Sequence, residues 1–331
     1  MPHEVVFLSD HDVREMLTMS DAIVAVEGDF NRQAVPESMI YGVPLAYSTD
    51  DRKLGYRSRI KSAIIRDLPV AGVRVTGFKI DQNGVGTGGE RAATRYIILS
   101  DPVTSSPIAI IDEHSSFSKR TSAAVCVAAK YLARPESAVI GIVGVGNIGQ
   151  TTLMGLHDHF KIREVKATSL RPQSRQKFAQ EMSGSLGVPV KAVDSYEDAC
   201  RGADIIVVGT SSHEPFLRYD WLGDGVFLAV VGEHEAMNDV YAKCDRFFVD
   251  YNPASEKHPA HIQQAIEAGA IGPDTITGQI WEVVAGRKPG RRNAKEKVLI
   301  ATVGLTTQDI SIAHQLYLRA QAEGRGLRLP F

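Results

Sequence analysis

The chain has 331 residues, 44% of them hydrophobic and 23% charged, which is enough for two domains of moderate size, each with its own core. A formal net charge of −2 offers no electrostatic footprint for nucleic acid or an anionic membrane, and no apolar run approaches the roughly 20 residues that span a bilayer. Early acids stand where a signal peptide has its basic stretch, and Cys126, Cys200 and Cys244 are too few and too scattered for a disulfide framework, so a reducing cytoplasm is expected.

The first stretch, HEVVFLSDHDVREMLTMSDAIVAVEGDFNRQA, reads as a short strand, a helix capped by Ser9 or Asp10, and a second helix after Ser20. MIYGVPLAYS, LGYRSRIKSAII, VAGVRVTGFKI, ATRYIILSD and PIAIIDE follow as β-type segments separated by turn signals such as Asp-Asp, Asp-Leu-Pro and Asp-Pro. They predict a mostly antiparallel sheet. The loop DQNGVGTGGER, residues 81–91, is rich in glycine and reads as mobile or wrapped near a ligand. FSKRTSAAVCVAAKYLA, residues 117–133, predicts an alanine-rich helix with Arg120 and Thr121 at its start.

From about residue 138 the pattern changes. VIGIVG, EVKATS, ADIIVVGT, GVFLAVVG and RFFVDY read as buried strands, with helices over IGQTTLMGLHDHF and SRQKFAQEMSGSL. Strands alternating with helices predict parallel crossovers and a doubly wound sheet. After GRKPGRRNAKEK the chain resets to a strand, VLIATVG, and a helix, TTQDISIAHQLYLRAQAEG, capped by Thr306 or Thr307.

Between the first of those strands and its helix lies Gly144-Val145-Gly146-Asn147-Ile148-Gly149. A lone GxGxxG is weak, but strand before and helix after is the context of a dinucleotide loop. Gly144 permits the tight turn, Gly146 lets amides approach a pyrophosphate, and Gly149 allows close helix–strand packing. The anion would sit on the helix N-terminus. The next strand ends in Thr168-Ser169-Leu170-Arg171-Pro172, where an acid would bind the ribose of NAD(H). Hydroxyls plus an arginine suit a 2′-phosphate, so NADP(H) is favoured over NAD(H), against the plainer reading of Arg171 as a solvated residue.

Four further residues could carry chemistry. Arg120 could fork onto a carboxylate, and Lys79 could polarise a carbonyl or imine, although each alone reads as an ordinary solvated cation. Glu233 follows FLAVVG at the carboxyl end of a parallel strand, where ligands bind, and is a candidate general acid/base with His234 as its competitor. His157 and His159, or His258 and His261, lack a third ligand at useful spacing, so no metal is expected.

With GFK ending at Lys79, SKRTSAAVCVAAKYLA at 118–133, IVGVGNIGQ at 142–150, VGTSS at 208–212, FLAVVGE through Glu233 and GLTTQDISIAHQLYLRA at 304–320, the chain resembles the ornithine cyclodeaminase/mu-crystallin family over nearly its whole length. That resemblance implies an α/β fold in which a Rossmann doubly wound sheet, residues 123–302, is inserted in an α+β substrate and dimerisation domain, residues 1–122 plus 303–331. It implies a homodimer acting on a small amino or keto acid. Arg120 and Lys79 would grip the carboxylate and imine region, and Glu233, usually aspartate in the cyclodeaminases, would move protons. Thr121, Gly144, Gly146, Asn147, Ile148, Gly149, Ser169, Arg171, Thr210, Ser211, Val231 and Gly232 would line the cofactor. Many relatives carry an arginine where this chain has Ser38, so that second carboxylate clamp is either absent or supplied by Arg57, Arg59 or Arg91. GGERA and RYDWLGDGVF look like the branch that oxidises amino-carboxyethyl-glutamate. The expected activity is NAD(P)-dependent amino-acid dehydrogenation or imine reduction. Redox-neutral cyclodeamination with loss of ammonia, and cofactor or ligand binding without turnover, are the alternatives.

Overall fold

The computed structural model describes residues 4–330 apart from 36, 42–46, 85, 87–93, 233 and 252–259. In chain order it opens with β1 (Glu4–Leu8), α1 (Asp10–Met16), α2 (Met19–Gln33), β2 (Met39–Tyr41), β3 (Tyr47–Asp51), β4 (Tyr56–Ile65), β5 (Val70–Lys79), β6 (Thr94–Ser100), β7 (Pro107–Asp112) and α3 (His114–Leu132). A second series follows: β8 (Val139–Val143), α4 (Asn147–His159), β9 (Glu164–Thr168), α5 (Pro172–Leu186), β10 (Val190–Ala192), α6 (Tyr196–Cys200), β11 (Ile205–Val208) and β12 (Phe227–Val230). It continues through α7 (Asn238–Lys243), β13 (Arg246–Val249), α8 (Ala260–Glu267), β14 (Gly278–Gln279), α9 (Ile280–Val284) and β15 (Val298–Ala301), and the chain closes with α10 (Thr306–Glu323) and β16 (Leu327–Pro330). Two compact units result, residues 1–120 with 305–331, and residues 121–304. No helix among the described residues is long and apolar enough to cross a membrane.

The first unit is one sheet in the order β16-β1-β7-β6-β5-β4-β2, with β3 also on β4. Only β1 and β7 run parallel; the other pairs are antiparallel. Residues paired across strands share a face, so register assigns the two surfaces. Val6, Ala109, Leu99, Gly72 and Ala63 form one buried row, and Leu8, Ile111, Ile97, Arg74 and Lys61 form the next. A third row on that face is Arg95, Thr76 and Arg59. α10 packs against this face. Gly72 lets the helix approach closely, and a Cβ there would stand 2.3 Å from Cδ1 of Ile310 and push that side chain aside. The opposite face carries Leu327, Phe7, Ile110, Ile98 and Val73 in register. Of these Phe7 and Leu327 are exposed, as are Ile60 and Ile64 on the same surface.

The second unit is a fully parallel sheet in the order β10-β9-β8-β11-β12-β15-β13-β14. Its central strands β8, β11, β12, β13 and β15 are buried at every position, which is why their sequences read as continuous apolar runs without alternation.

Helix starts depart from the sequence reading in three places. Thr18, not Ser20, caps α2: its hydroxyl accepts from the Asp21 amide at 3.1 Å while the Asp21 carboxylate accepts from the Thr18 amide at 3.0 Å. α3 begins at His114, whose amide donates to Asp112 at 2.8 Å, so Arg120 and Thr121 lie inside the helix rather than at its start. α10 has Leu305 at its cap position, and neither Thr306 nor Thr307 caps it. The Thr307 hydroxyl is drawn instead to Asp29, donating at 2.8 Å. Three short strands, β10, β14 and β16, carried no sequence signal strong enough to be placed.

Asp29 of α2 is completely buried and accepts from Thr307 and, at 3.2 Å, from Ser311 of α10. Burial outweighs these bonds and, with some repulsion from Asp309, pushes the carboxyl from its ordinary 3.8 up to about 7. The folded state therefore holds a proton that the unfolded chain releases near pH 4. The associated stability is full below that pH and is lost as pH rises through about 7. Asp29→Asn should remove this slope. In denaturant titrations between pH 4 and 8, wild-type stability should fall relative to the variant by a few kcal/mol, at about 1.4 kcal/mol per pKa unit. Parallel curves would show that Asp29 is ionised in the fold.

Candidate functional site

In the second unit the glycine loop has the geometry its residues require. Gly144, at φ +103°, donates its amide to Thr168 at 3.0 Å, and a Cβ on it would meet the Gly209 carbonyl oxygen at 2.2 Å. Gly149 presses on the same turn, since its Cβ would fall 2.1 Å from the Gly144 oxygen. Gly146 differs. It caps α4 with no side-chain bond to the first amides, and nothing lies within 4 Å of where its Cβ would be. The first turn of α4 thus has open space before it, with Gly146 and Asn147 exposed and the helix dipole directed there. Such an uncapped N-terminus suits a pyrophosphate. Ser122 of α3 anchors the turn by donating to the Ile148 carbonyl at 3.0 Å and bonding Thr151 and Thr152 at 2.6 and 2.8 Å. Beside it the Thr121 hydroxyl is buried with no hydrogen-bond partner among the described residues, as a group awaiting a ligand would be.

The ends of β11 and β12 are fastened by a residue that sequence reading did not single out. Glu235 is wholly buried; its carboxylate accepts from the Gly232 amide at 2.8 Å and from the Thr210 amide. Burial pushes this carboxyl up and the two amides oppose the rise. Glycine at 232 leaves room for this clamp, because a Cβ would lie 2.6 Å from the Glu235 carboxyl carbon and push the carboxylate aside. Thr210, Val231 and Gly232 are half-buried beside this clamp, and Ser211 is exposed. His234 is half-buried next to it. Glu233 itself lies outside the described residues.

At the end of β9, Thr168 is buried and the Ser169 hydroxyl donates to the Arg171 carbonyl at 3.2 Å. Arg171 is exposed at the cap position of α5, where no side chain caps the helix. Arg175, one turn on, donates to the Ser169 carbonyl at 3.2 Å and pairs with Asp194. This second arginine was hidden in the sequence, because only the helix turn brings it back to the strand end.

In the first unit three buried arginines, Arg74, Arg95 and Arg120, gather around Phe117 with their guanidinium carbons 5.5, 4.1 and 5.5 Å from the ring centre. Nε of Arg74 is 2.6 Å from Glu113, and Nε of Arg120 is 2.6 Å from Asp309, whose second oxygen lies 3.7 Å from Arg74. Burial drives the Glu113 carboxyl upward against the pull of Arg74. Oε2 of Glu113 and Nε2 of Gln308 are buried with no hydrogen-bond partner among the described residues. Arg59 lies 5.6 Å above Phe78, and so does Arg95.

Lys79 is not in this cluster. It is exposed at the end of β5, five residues from Arg74, and strand alternation turns it to the opposite face. Arg74, not Lys79, is the cation that the fold sets beside Arg120. Arg59 shares the cluster's face, Arg57 pairs with Asp50 at 3.4 Å, and Arg91 lies outside the described residues with most of its glycine-rich loop. Ser38 is buried, its amide donating to Val35 at 3.0 Å. His258 and the side chain of His261 are likewise outside the described residues, and no group of three metal-binding side chains occurs among those described.

Residues 3–324 match the ornithine cyclodeaminase/mu-crystallin family, and the chain belongs to it. It is 28% identical to the alanine dehydrogenase of Archaeoglobus fulgidus over 99% of both chains. It is 27% identical to the N-((2S)-2-amino-2-carboxyethyl)-L-glutamate dehydrogenase of Staphylococcus aureus over 78% of this chain and 77% of that one. Among solved structures it resembles the Thermococcus litoralis Δ1-pyrroline-2-carboxylate reductase in complex with NADH and L-proline, at TM-score 0.90 and 28% identity over 98% of this chain and 100% of that one. An archaeal alanine dehydrogenase dimer with bound NAD matches at TM-score 0.88 and 28% identity over 99% of both chains.

The three glycines should separate on substitution. Gly144→Ala and Gly149→Ala should lower Tm by several degrees, since the added methyl strikes backbone and a loss of about 1 kcal/mol shifts Tm by about 2–4 °C at this size. Gly146→Ala should keep the wild-type Tm and weaken dinucleotide binding by about tenfold, because its methyl enters the space in front of α4. Thermal denaturation with calorimetric titration of NADH and NADPH checks both, and undiminished binding by Gly146→Ala would place the cofactor elsewhere.

Proposed function

We propose that this member of the ornithine cyclodeaminase/mu-crystallin family is an NAD(P)-dependent oxidoreductase acting on α-amino and α-imino acids. The observation that carries the reading is the buried pair Arg74 and Arg120, converging on Phe117 and on Asp309. Two guanidinium forks held by packing and by a shared carboxylate are a device for gripping a substrate carboxylate. The glycine loop supports the other half, and both relatives reported at 28% identity in structural comparison hold NAD or NADH.

A bound nicotinamide would supply the hydride acceptor or donor for the substrate Cα. Arg120 and Arg74 hold the carboxylate and so present the Cα–N bond in one orientation. The amides of the first turn of α4, with Asn147, Ile148 and the glycines, receive the pyrophosphate, and Thr121 donates its unpaired hydroxyl. Ser211 and the strand-end residues Thr210, Val231 and Gly232, fastened by Glu235, border the nucleotide. Glu233 takes the proton-transfer role on the sequence resemblance, with His234 as its competitor.

For the cofactor we favour NADP(H) over NAD(H). Arg171 is exposed at the strand end, and Asp194 is already paired with Arg175. The relatives' use of NAD(H) does not transfer by itself, because the choice turns on one or two side chains. A second copy of the chain is proposed to cover the sheet face of Phe7, Ile110, Ile98 and Val73, a continuous apolar surface that water would otherwise wet.

A panel of 2-keto acids with ammonia or amines and reduced cofactor, and of amino acids with oxidised cofactor, tests the activity through nicotinamide absorbance, with ammonia release followed in parallel. Net cofactor turnover is expected, and Arg120→Lys should cut kcat/KM about 100-fold by losing the fork. Ammonia from ornithine without net cofactor change would mean a cyclodeaminase. Binding without any turnover would mean a ligand-binding protein. NADPH should be used better than NADH, with Arg171→Ala lowering that ratio about tenfold; equal use by both proteins would leave Arg171 a solvated residue.

Sedimentation should show a dimer that Ile98→Glu converts to monomer. A wild-type monomer would overturn the assignment of that face.

A further inference from the structure

We propose that the substrate site recognises two carboxylates, so that this chain acts on dicarboxylic amino or imino acids. The inference rests on the oxidoreductase reading and deepens it. The sheet register places a second pair of guanidinium groups beside the first. Arg59 of β4 and Arg95 of β6 both pair with Thr76 of β5, so the two arginines flank one residue on the face that also carries Arg74 and Phe78. Both guanidinium carbons stand 5.6 Å from the centre of Phe78. Arg95 also stacks 4.1 Å from Phe117, the ring on which Arg74 and Arg120 converge at 5.5 Å.

Arginine pairs and rings therefore alternate: Arg59 and Arg95 about Phe78, then Arg74 and Arg120 about Phe117, with Arg95 touching both rings. The rings set the planar groups apart in two pairs, which is the arrangement for two bidentate carboxylate contacts a few bonds apart. A substrate with one carboxylate needs only the pair anchored by Asp309 and Glu113. Nothing in the linear sequence joins Arg59 to Arg95, which are separated by a full strand and the 81–91 loop.

Calorimetric titration compares succinate with butyrate, a four-carbon monocarboxylate, on the protein alone and on the protein saturated with NADPH. Succinate is expected to bind at least about tenfold more tightly. Arg59→Gln and Arg95→Lys should each reduce the succinate-to-butyrate ratio about fivefold or more, Arg59→Gln being the exposed position and Arg95→Lys the variant that keeps the buried charge. Equal affinities, no binding of either acid, or a ratio that survives both substitutions would overturn the proposal. The readout needs no turnover. Selective succinate binding in a protein that turns over no cofactor would sink the oxidoreductase reading and leave the recognition of two carboxylates standing. Turnover confined to monocarboxylic substrates would do the reverse.

Discussion

The carboxylate of Asp309 is the contact on which the first unit depends. It sits in the first turn of α10, near the end of the chain, and receives Arg120 from α3 while Arg74 of β5 stands at 3.7 Å. One anion thus ties three elements that are spread along the sequence, with Arg120 189 residues before Asp309 and Arg74 earlier still. Its burial is tolerable only because the pairing is close, and removing a partner from such a cluster costs about 3–5 kcal/mol. The same contact explains why the chain's end must return to the sheet made at its beginning: α10 supplies both the apolar cover at Gly72 and the anion that fixes two arginines.

In the second unit the governing constraint is steric rather than ionic. Gly144, Gly149 and Gly232 are places where a single methyl would strike a backbone oxygen or the Glu235 carboxyl. Close packing there brings the ends of β8, β11 and β12 near the start of α4 and leaves that helix end bare. Of the three glycines in the loop, Gly146 alone faces open space, so the glycine that packing does not need is the one that a ligand would. Glu235 plays for these loops the part that Asp309 plays in the other unit, a buried carboxylate whose partners are backbone amides in place of arginines.

Much of the fold was legible. The longer parallel strands, the glycine loop with its helix and the β-rich first part were placed from periodicity, because a buried parallel strand and a strand–glycine–helix turn leave local signatures. The site was legible only where its residues lie in one such signature. Arg120 was found in its helix. Arg74 and Arg95 were not, since an arginine alternating with valine or tyrosine on a strand looks solvated until another element covers it. Lys79 drew attention because it borders a glycine-rich loop, yet strand parity turns it away from Arg120. Thr18 and Leu305 replaced the expected caps for a related reason: which hydroxyl caps a helix depends on what else competes for it, and Asp29 competes for Thr307.

By itself the sequence determined the class of each unit, the insertion of one in the other by resemblance, and the loop that would take a nucleotide. These follow from short-range rules of alternation, glycine tolerance and capping chemistry, which act over a few residues. Tertiary structure alone decided which cations meet. Cross-strand register aligned Arg59 with Arg95, and the return of α10 paired Arg120 with Asp309 across 189 residues. Electrostatic partnership depends on distance in space, and in a sheet that distance is set by register and by what packs on its face, neither of which is written in any local stretch of the chain.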